Sequence, residues 1–421
     1  MTEPIQSTSI LILLIGILVA AAVVVRAGLS RTYVPSLVGY MALGFLLRLA
    51  DDRWNFLSEQ GDFAFEILAE LGIIVLLFRV GLESDLQGLR RQLGSASVIW
   101  LGNVALSATA GYFVMTYLLG FDQIPSLIAA VAMTATSIGV SIGMWRQHDA
   151  LRTRKGQLLT DVAKMDDLSG VALMALLFAV IPVLRETAGS GDGPGSGGLA
   201  TQLLTSGGIF FLKFFLFAGF CVAFARYGEE RLTKTFQRLA PGPELMVLVA
   251  GIAILIAGVA AWLEFSAAIG ALFAGLAFSR DPEAVHIDAD FRGLYDLFSP
   301  FFFIGIGLAL ETGALTSALG TGAVLAAVAI VVKVLGAGLP SLLSSGMAGA
   351  TLIGVSLVPR AEITMIIMER GRQIGEWAVP ANLYAAFVLV SAVTCLVAPI
   401  SLEMLFRRWP AEIKGGEDGQ G

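Results

Sequence analysis

Apolar positions in this chain gather into long uninterrupted runs rather than into stripes or strict alternations. They lie near residues 8–26, 34–50, 62–82, 96–119, 123–145, 156–184, 205–225, 244–262, 265–278, 293–310, 319–343, 348–369 and 378–404. An α-helix needs about 20 residues to cross a bilayer, and in lipid only helices or closed barrels satisfy the backbone. Barrel strands would be about ten residues long and alternating. The pattern therefore predicts an all-α polytopic membrane protein with about thirteen transmembrane helices. The eighth, ninth and tenth runs are the least separated, with little more than Glu264 between the eighth and ninth.

Composition points the same way. Of 421 residues, 56% are hydrophobic and 14% charged, and the mean hydropathy is +0.81. A soluble protein of this size would not stay in solution with that balance, and no large soluble domain fits beside the runs. The net charge of −6 gives no reason to expect a nucleic-acid partner. Cys221 and Cys395 fall in separate apolar runs without metal-ligand spacing and are expected as core thiols. The stretch Met1–Ser9 lacks the basic region and cleavage site of a signal peptide, so the first run is expected to be a retained helix.

An odd number of spans puts the termini on opposite sides, and basic loop residues choose the orientation. With the N-terminus outside, inward loops hold most of the Lys and Arg, including Arg146, Arg152, Arg154 and Lys155, while outward loops hold Arg53, Arg185, Arg370 and Arg372. The expected topology is N-out/C-in. The glycine-rich stretch 188–198 lies in the outward loop after the sixth run. No strand precedes it and no Gly-Lys-Ser/Thr follows, so it reads as a flexible linker rather than a phosphate cradle. If the seventh run is also a linker, runs one to six and eight to thirteen form two halves that enter the membrane from opposite sides. That is the arithmetic of an inverted repeat, with a substrate site near the midplane.

The sixth run holds Asp161, Lys164, Asp166 and Asp167. Ionisable groups at membrane depth cost several kcal/mol each unless paired or wetted, and so mark function. The fifth run contains Thr134, Thr136 and Ser137 just before Gly139, residues suited either to capping a helix that unwinds there or to a hydroxyl-rich packing seam. Lys333 sits well inside the eleventh run and is expected to be buried and paired. In the twelfth, Pro359 breaks the helical ladder beside Arg360 and Glu362. These two charges are two residues apart and would not face one another on a regular helix, so pairing needs either the break or a partner on another helix. Asp166 and Asp167 point about 100° apart on a helix, which excludes a face-to-face carboxyl dyad but lets each address a different partner. One can neutralise a lysine on another helix while the other meets the water-filled path. A desolvated carboxylate can load and unload protons near physiological pH, and a proton and a metal ion then compete for one group.

Several stretches resemble the bacterial monovalent cation:proton antiporter family, the branch with Nap-type sodium/proton exchangers and Kef potassium systems. They are Val34–Tyr40, Leu76–Glu83, Thr134–Gly139, Asp166-Asp167, Ile269–Leu276, Pro300–Leu308 and Pro359–Glu362, in the family's order along nearly the whole membrane region. The resemblance implies a homodimer in a bacterial inner membrane, with the fifth and twelfth helices broken and crossing at the site. It implies that Asp167 binds the transported monovalent cation and the proton, that Asp166 pairs with Lys333, and that Arg360 and Glu362 have a structural or gating role. Thr134, Thr136 and Ser137 would line the site. It also implies exchange of Na+, before K+ or Li+, for more than one H+, with no cofactor.

On the same resemblance, residues 1–95 and 244–318 form a dimerisation domain and 96–184 and 319–404 a core domain. Residues 185–243 form the linker region and 405–421 a cytoplasmic tail. The sequence ends soon after the last run, where a Kef-type system is expected to continue into a nucleotide-binding domain, so ligand-gated potassium efflux is disfavoured. Lys164 and Asp161 depart from the family pattern. Lys164 either pairs with Asp161 or faces Asp167 and competes with the cation, since both lie three residues away. Arg79 is a further departure, expected near the inner surface beside Glu83.

The remaining charges read more plainly. His148 and His286 are expected as solvated loop residues, with pH sensing as the alternative. Asp281, Glu283, Asp288 and Asp290 read as a solvated acidic face, Glu66 and Glu70 as a dimer-interface or lipid-facing contact, and Lys213 as a snorkelling lysine. Rival functions are a sodium-coupled solute symporter or cation channel on a related fold and, further off, an intramembrane aspartyl hydrolase. The hydrolase needs aspartates on two facing helices.

Overall fold

The computed structural model describes residues 3–83, 94–189, 198–228, 231, 244–263, 265–279 and 284–410. Regular structure among them is entirely helical. The first elements are α1 (Glu3–Leu29), α2 (Ser36–Trp54), α3 (Glu59–Leu82) and α4 (Ser95–Phe113), which a π-helical turn, Val114–Leu118, extends. Then come α5 (Gln123–Ala132), α6 (Ile138–Gln147), α7 (Arg154–Gly189) and α8 (Gly198–Ala223). The last are α9 (Glu244–Trp262), α10 (Ala267–Phe278), α11 (Ala284–Leu308), α12 (Thr312–Ser356), α13 (Glu362–Ile374) and α14 (Ala381–Arg408). Each apolar run falls on one or two of these helices.

Among the described residues, five segments are long and apolar enough to cross a membrane: Ser9–Leu29, Ala96–Leu118, Arg154–Pro182, Thr312–Ser356 and Ala381–Arg408. Large apolar side chains such as Ile12, Val24, Phe215 and Leu343 stand exposed, as a lipid-facing surface requires. The helix ends follow local chemistry. Pro35, in extended conformation, precedes α2, and Asn55 ends it in the left-handed region, its N–H donating to the Asp51 carbonyl. The Ser266 side chain caps α10 by accepting from the Ala268 N–H at 3.2 Å. Gly346, at φ +65°, divides α12 into two helical stretches, at the gap between the eleventh and twelfth runs.

Two interruptions matter more. Residues 133–137 separate α5 from α6 inside the fifth run, and residues 357–361 separate α12 from α13 inside the twelfth. Both were expected, the first from its hydroxyls and the second from Pro359.

The chain packs as two compact units. The first comprises Met1–Glu66, Leu86–Gly170 and Phe303–Gly421. In it α12 packs most extensively on α14 and α4, and Gly102 and Gly336 bring α4 and α12 together: a Cβ on Gly336 would lie 3.2 Å from the Asn103 Cα. Trp145, Leu159, Leu352, Leu402 and Phe406 form part of its apolar core. The Trp145 indole donates to the Ser356 hydroxyl at 2.7 Å, tying α6 to the end of α12.

His148 departs from the solvated role expected of it. Its Nε2 lies 3.0 Å from Glu403 Oε2, and its ring stacks on Phe406 at 4.5 Å. It ends α6, whose packing carries it onto α14. The side chains of His286, Asp281, Glu283, Asp288 and Asp290, and most of the glycine-rich stretch, lie outside the described residues.

The second unit comprises Ile67–Asp85 and Val171–Phe302. Phe78 packs against Phe278 and Phe291, with ring centroids 6.1 and 4.8 Å apart. Arg79 pairs with Glu83 at 2.7 Å and lies over the Tyr295 ring. α3 and α10 meet through glycines: a Cβ on Gly275 would fall 2.8 Å from the Leu82 N and 2.9 Å from the Gly81 Cα. Those neighbours are backbone and cannot rotate away. Gly275→Ala is therefore expected to cost about 1–3 kcal/mol, read as a lowered melting temperature in detergent. Gly251→Ala, where nothing lies within 4 Å of the added carbon, is expected to leave it unchanged.

Candidate functional site

The site is built around the helix breaks. Interrupting a helix orphans backbone carbonyls, and inside a membrane no water compensates them. Around residues 132–135 each carbonyl instead has a named donor. Ala132 O accepts from the Thr364 hydroxyl at 3.0 Å. Met133 O and Ala135 O both accept from Arg360 Nη1, the second at 3.0 Å. Thr134 O accepts from Lys333 Nζ at 2.5 Å. On the other break, Pro359 O accepts from the Ser137 N–H at 2.8 Å. The two breaks thus satisfy one another, with Lys333 and Arg360, both fully buried, serving as donors to the first.

Lys333 also reaches the Thr136 hydroxyl at 2.7 Å and Asp166 Oδ2 at 3.3 Å. Both members of that ion pair are buried, Lys333 at 0% and Asp166 at 1% side-chain exposure. The other oxygen of Asp166, Oδ1, accepts from Asn103 Nδ2 at 3.0 Å. Both Asp166 oxygens are therefore engaged by protein donors. Asp167, the next residue on α7, is half-buried and within electrostatic reach of Lys333.

The three hydroxyls expected to line the site each have protein partners. Thr134 Oγ1 donates to Val131 O at 2.8 Å, Thr136 accepts from Lys333, and Ser137 Oγ bonds to Glu362 Oε2. Among the described residues no ion pair joins Arg360 to Glu362. The guanidinium goes to carbonyls of the facing break and the carboxylate to the Ser137 hydroxyl. Arg360 also fixes its own backbone, its N–H donating to Thr394 Oγ1 at 3.2 Å. Asp161 is half-buried and Lys164 exposed, and the Lys164 charge acts on Asp161.

Asn103 and Thr394 were not singled out from the sequence. The available signal for Asn103 was a lone amide deep in the fourth apolar run, the kind of residue that finds a partner on a neighbouring helix. Thr394 gave less, since a threonine that bonds to its own helix, here to Val390 O at 2.7 Å, needs no external partner.

Comparison with known proteins now bears on this geometry. A family model described as sodium/hydrogen exchanger, transmembrane, matches residues 14–408. The high-affinity Na+/H+ antiporter NhaS3 of Synechocystis sp. is 25% identical over 83% of this chain and 73% of its own length. An Na+/H+ antiporter of Enterococcus hirae is 23% identical over 94% and 98%. Among solved structures, the sodium proton antiporter MjNhaP1 from Methanocaldococcus jannaschii superposes with a TM-score of 0.64 at 16% identity, covering 97% of this chain and 98% of that one. That likeness carries the fold. Two interrupted helices facing one another, in a chain whose described regular structure is helical and lipid-suited, together with a family match over nearly its whole length, establish a multi-pass membrane protein that belongs to the sodium/hydrogen exchanger family.

Proposed function

We propose that this chain is a secondary-active antiporter that exchanges a monovalent cation, Na+ before K+, for protons. The observation that carries the reading is the division of labour within the aspartate pair. Asp166 is buried with both oxygens occupied, while Asp167 is half-buried beside it. A carboxylate in that position binds either a proton or a cation, and each occupant excludes the other. Occupancy by either one neutralises Asp167 and allows the site to pass between sides by alternating access. The names of the relatives support Na+ as the cation.

The finer features belong to the same proposal. They are N-out/C-in topology, an inverted repeat with the broken helices crossing, a homodimer, a bacterial inner membrane, and electrogenic exchange. The division into a dimerisation domain (1–95 and 244–318) and a core (96–184 and 319–404) belongs to it as well. Glu362, bonded to Ser137 across the breaks, and Arg360 hold the crossing together.

The test is transport by the purified protein in proteoliposomes, with internal pH followed as Na+, Li+ or K+ is added outside. Na+ is expected to raise internal pH more than K+ does. No proton movement with any of the three, together with Asp167→Asn behaving like wild type, would overturn the proposal. Lys164→Ala is expected to leave the rate within about twofold and the order of ions unchanged, because an exposed charge partnering Asp161 contributes little. A changed ion order would place Lys164 in the cation path instead.

A further inference from the structure

Asp166 can serve as a fixed counter-ion to Lys333 only if something holds its second oxygen. That oxygen is held from α4. Trp100 and Asn103 lie three residues apart on one face of that helix, and both reach α7. The Trp100 indole donates to the Ser169 hydroxyl at 2.9 Å, and Ser169 donates to the Asp166 carbonyl at 2.9 Å. Asn103 Nδ2 donates to Asp166 Oδ1 at 3.0 Å. Asn103 is fully buried, and Gly336 leaves room for its backbone, so the amide is delivered one turn from Lys333 on the packed face of α12.

We infer that Asn103 is a positioning residue for ion exchange: it holds the Asp166 carboxylate in place and turned toward Lys333, so that the cation at Asp167 meets a neutralised ammonium. The inference rests on the proposed function. The charged groups around the Asp166–Lys333 pair are Arg360 from the second break and Asp167 on α7 itself. With the amide present, the Lys333 charge is spent on Asp166 and on the break. Without it, Asp166 loses a charge-assisted hydrogen bond at a buried position. Lys333 is then less completely neutralised, and its repulsion is felt at Asp167. Cation binding weakens while the moving parts stay intact.

Asn103→Leu keeps the γ-branched shape, in a somewhat larger side chain, and removes the donor. It is expected to raise the Na+ concentration at half-maximal exchange by about 3- to 10-fold, with the maximal rate within about twofold of wild type. On an Asp166→Asn background the same substitution is expected to change that concentration by less than twofold, since the group it acts through is no longer charged. A wild-type Na+ dependence in a folded Asn103→Leu protein, or an equal change on both backgrounds, would overturn the inference. Should Asn103→Leu not fold, Asn103→Ser, smaller and too short to reach Asp166 directly, is measured against the same two outcomes. Thermal unfolding in detergent separates this inference from the function beneath it. Asn103→Leu and Asp166→Asn are expected to be non-additive in melting temperature, and strict additivity would remove the contact. Absence of proton flux in the wild type would remove the proposed function instead, with the coupling still measurable.

Discussion

Asp167→Asn is expected to reduce Na+-driven proton movement to the level of protein-free vesicles while leaving the protein folded. Asparagine matches the shape of aspartate, but its amide puts a donor NH2 where the carboxylate has a second acceptor oxygen, carries no charge and takes up no proton near neutral pH. Asp166 cannot substitute, because its two oxygens are committed to Asn103 and Lys333 and its side chain is 1% exposed. Asp161 lies almost two turns earlier on α7, beside the exposed Lys164. The loss therefore falls on both substrates at once: neither Na+ nor H+ neutralises the site, and nothing couples their movements. The melting temperature should stay within a few degrees of wild type, since a half-buried carboxylate exchanged for its amide creates neither a cavity nor an uncompensated buried charge. Two assays check this together, internal pH in proteoliposomes and thermal unfolding in detergent. Exchange at even a tenth of the wild-type rate would mean that another group carries the ion.

The sequence made depth legible, and with it the elements. Uninterrupted apolar runs marked the helices, Pro359 marked one break, and the cluster Thr134, Thr136 and Ser137 marked the other, because these residues alter the backbone ladder locally. Lys333 was legible as buried because a four-carbon stem placed mid-run has no interface to reach. What pattern alone could not assign was the choice of partner. Lys333 and Thr136 are separated by 197 residues, and Arg360 and Met133 by 227. Which face of one helix meets which face of another depends on packing rotations that a run of valines and leucines does not encode. The spacing of Arg360 and Glu362 left open a pairing across the break or a partner on another helix, and Arg360 serves the carbonyls of the facing break. Burying an arginine against orphaned carbonyls satisfies a need that hydropathy does not display: buried carbonyls at a break require donors, and Arg360 supplies them. Asn103 was overlooked for a related reason, since one amide in a span carries no periodic signal. His148 was misjudged because its position at the end of α6 brings it onto Glu403 and Phe406 of a helix far along the chain.

Lys333→Met is expected to be the most destabilising single change in the site. Methionine fills much of the same volume, so the loss is one of charge and donors rather than of packing. Three groups are abandoned at once: Asp166 Oδ2, the Thr136 hydroxyl and the Thr134 carbonyl. Removing one partner of a buried ion pair costs about 3–5 kcal/mol because the remaining charge is uncompensated, and an orphaned carbonyl adds about 1–3 kcal/mol. The melting temperature in detergent should fall by roughly 5–10 °C, and exchange should fail. Asp166→Asn added to Lys333→Met removes the stranded charge and should recover a large part of that loss, whereas the carbonyl of Thr134 stays unserved and keeps the recovery incomplete. Lys333→Arg retains the charge but presents a planar fork where a compact ammonium reaches three acceptors within 2.5–3.3 Å, so it should be intermediate in stability. If Lys333→Met melts with the wild type, Lys333 does not hold the break closed. If it melts low and Asp166→Asn restores nothing, the break rather than the ion pair carries the stability, and Lys333 matters chiefly as the donor that lets α5 end inside the membrane.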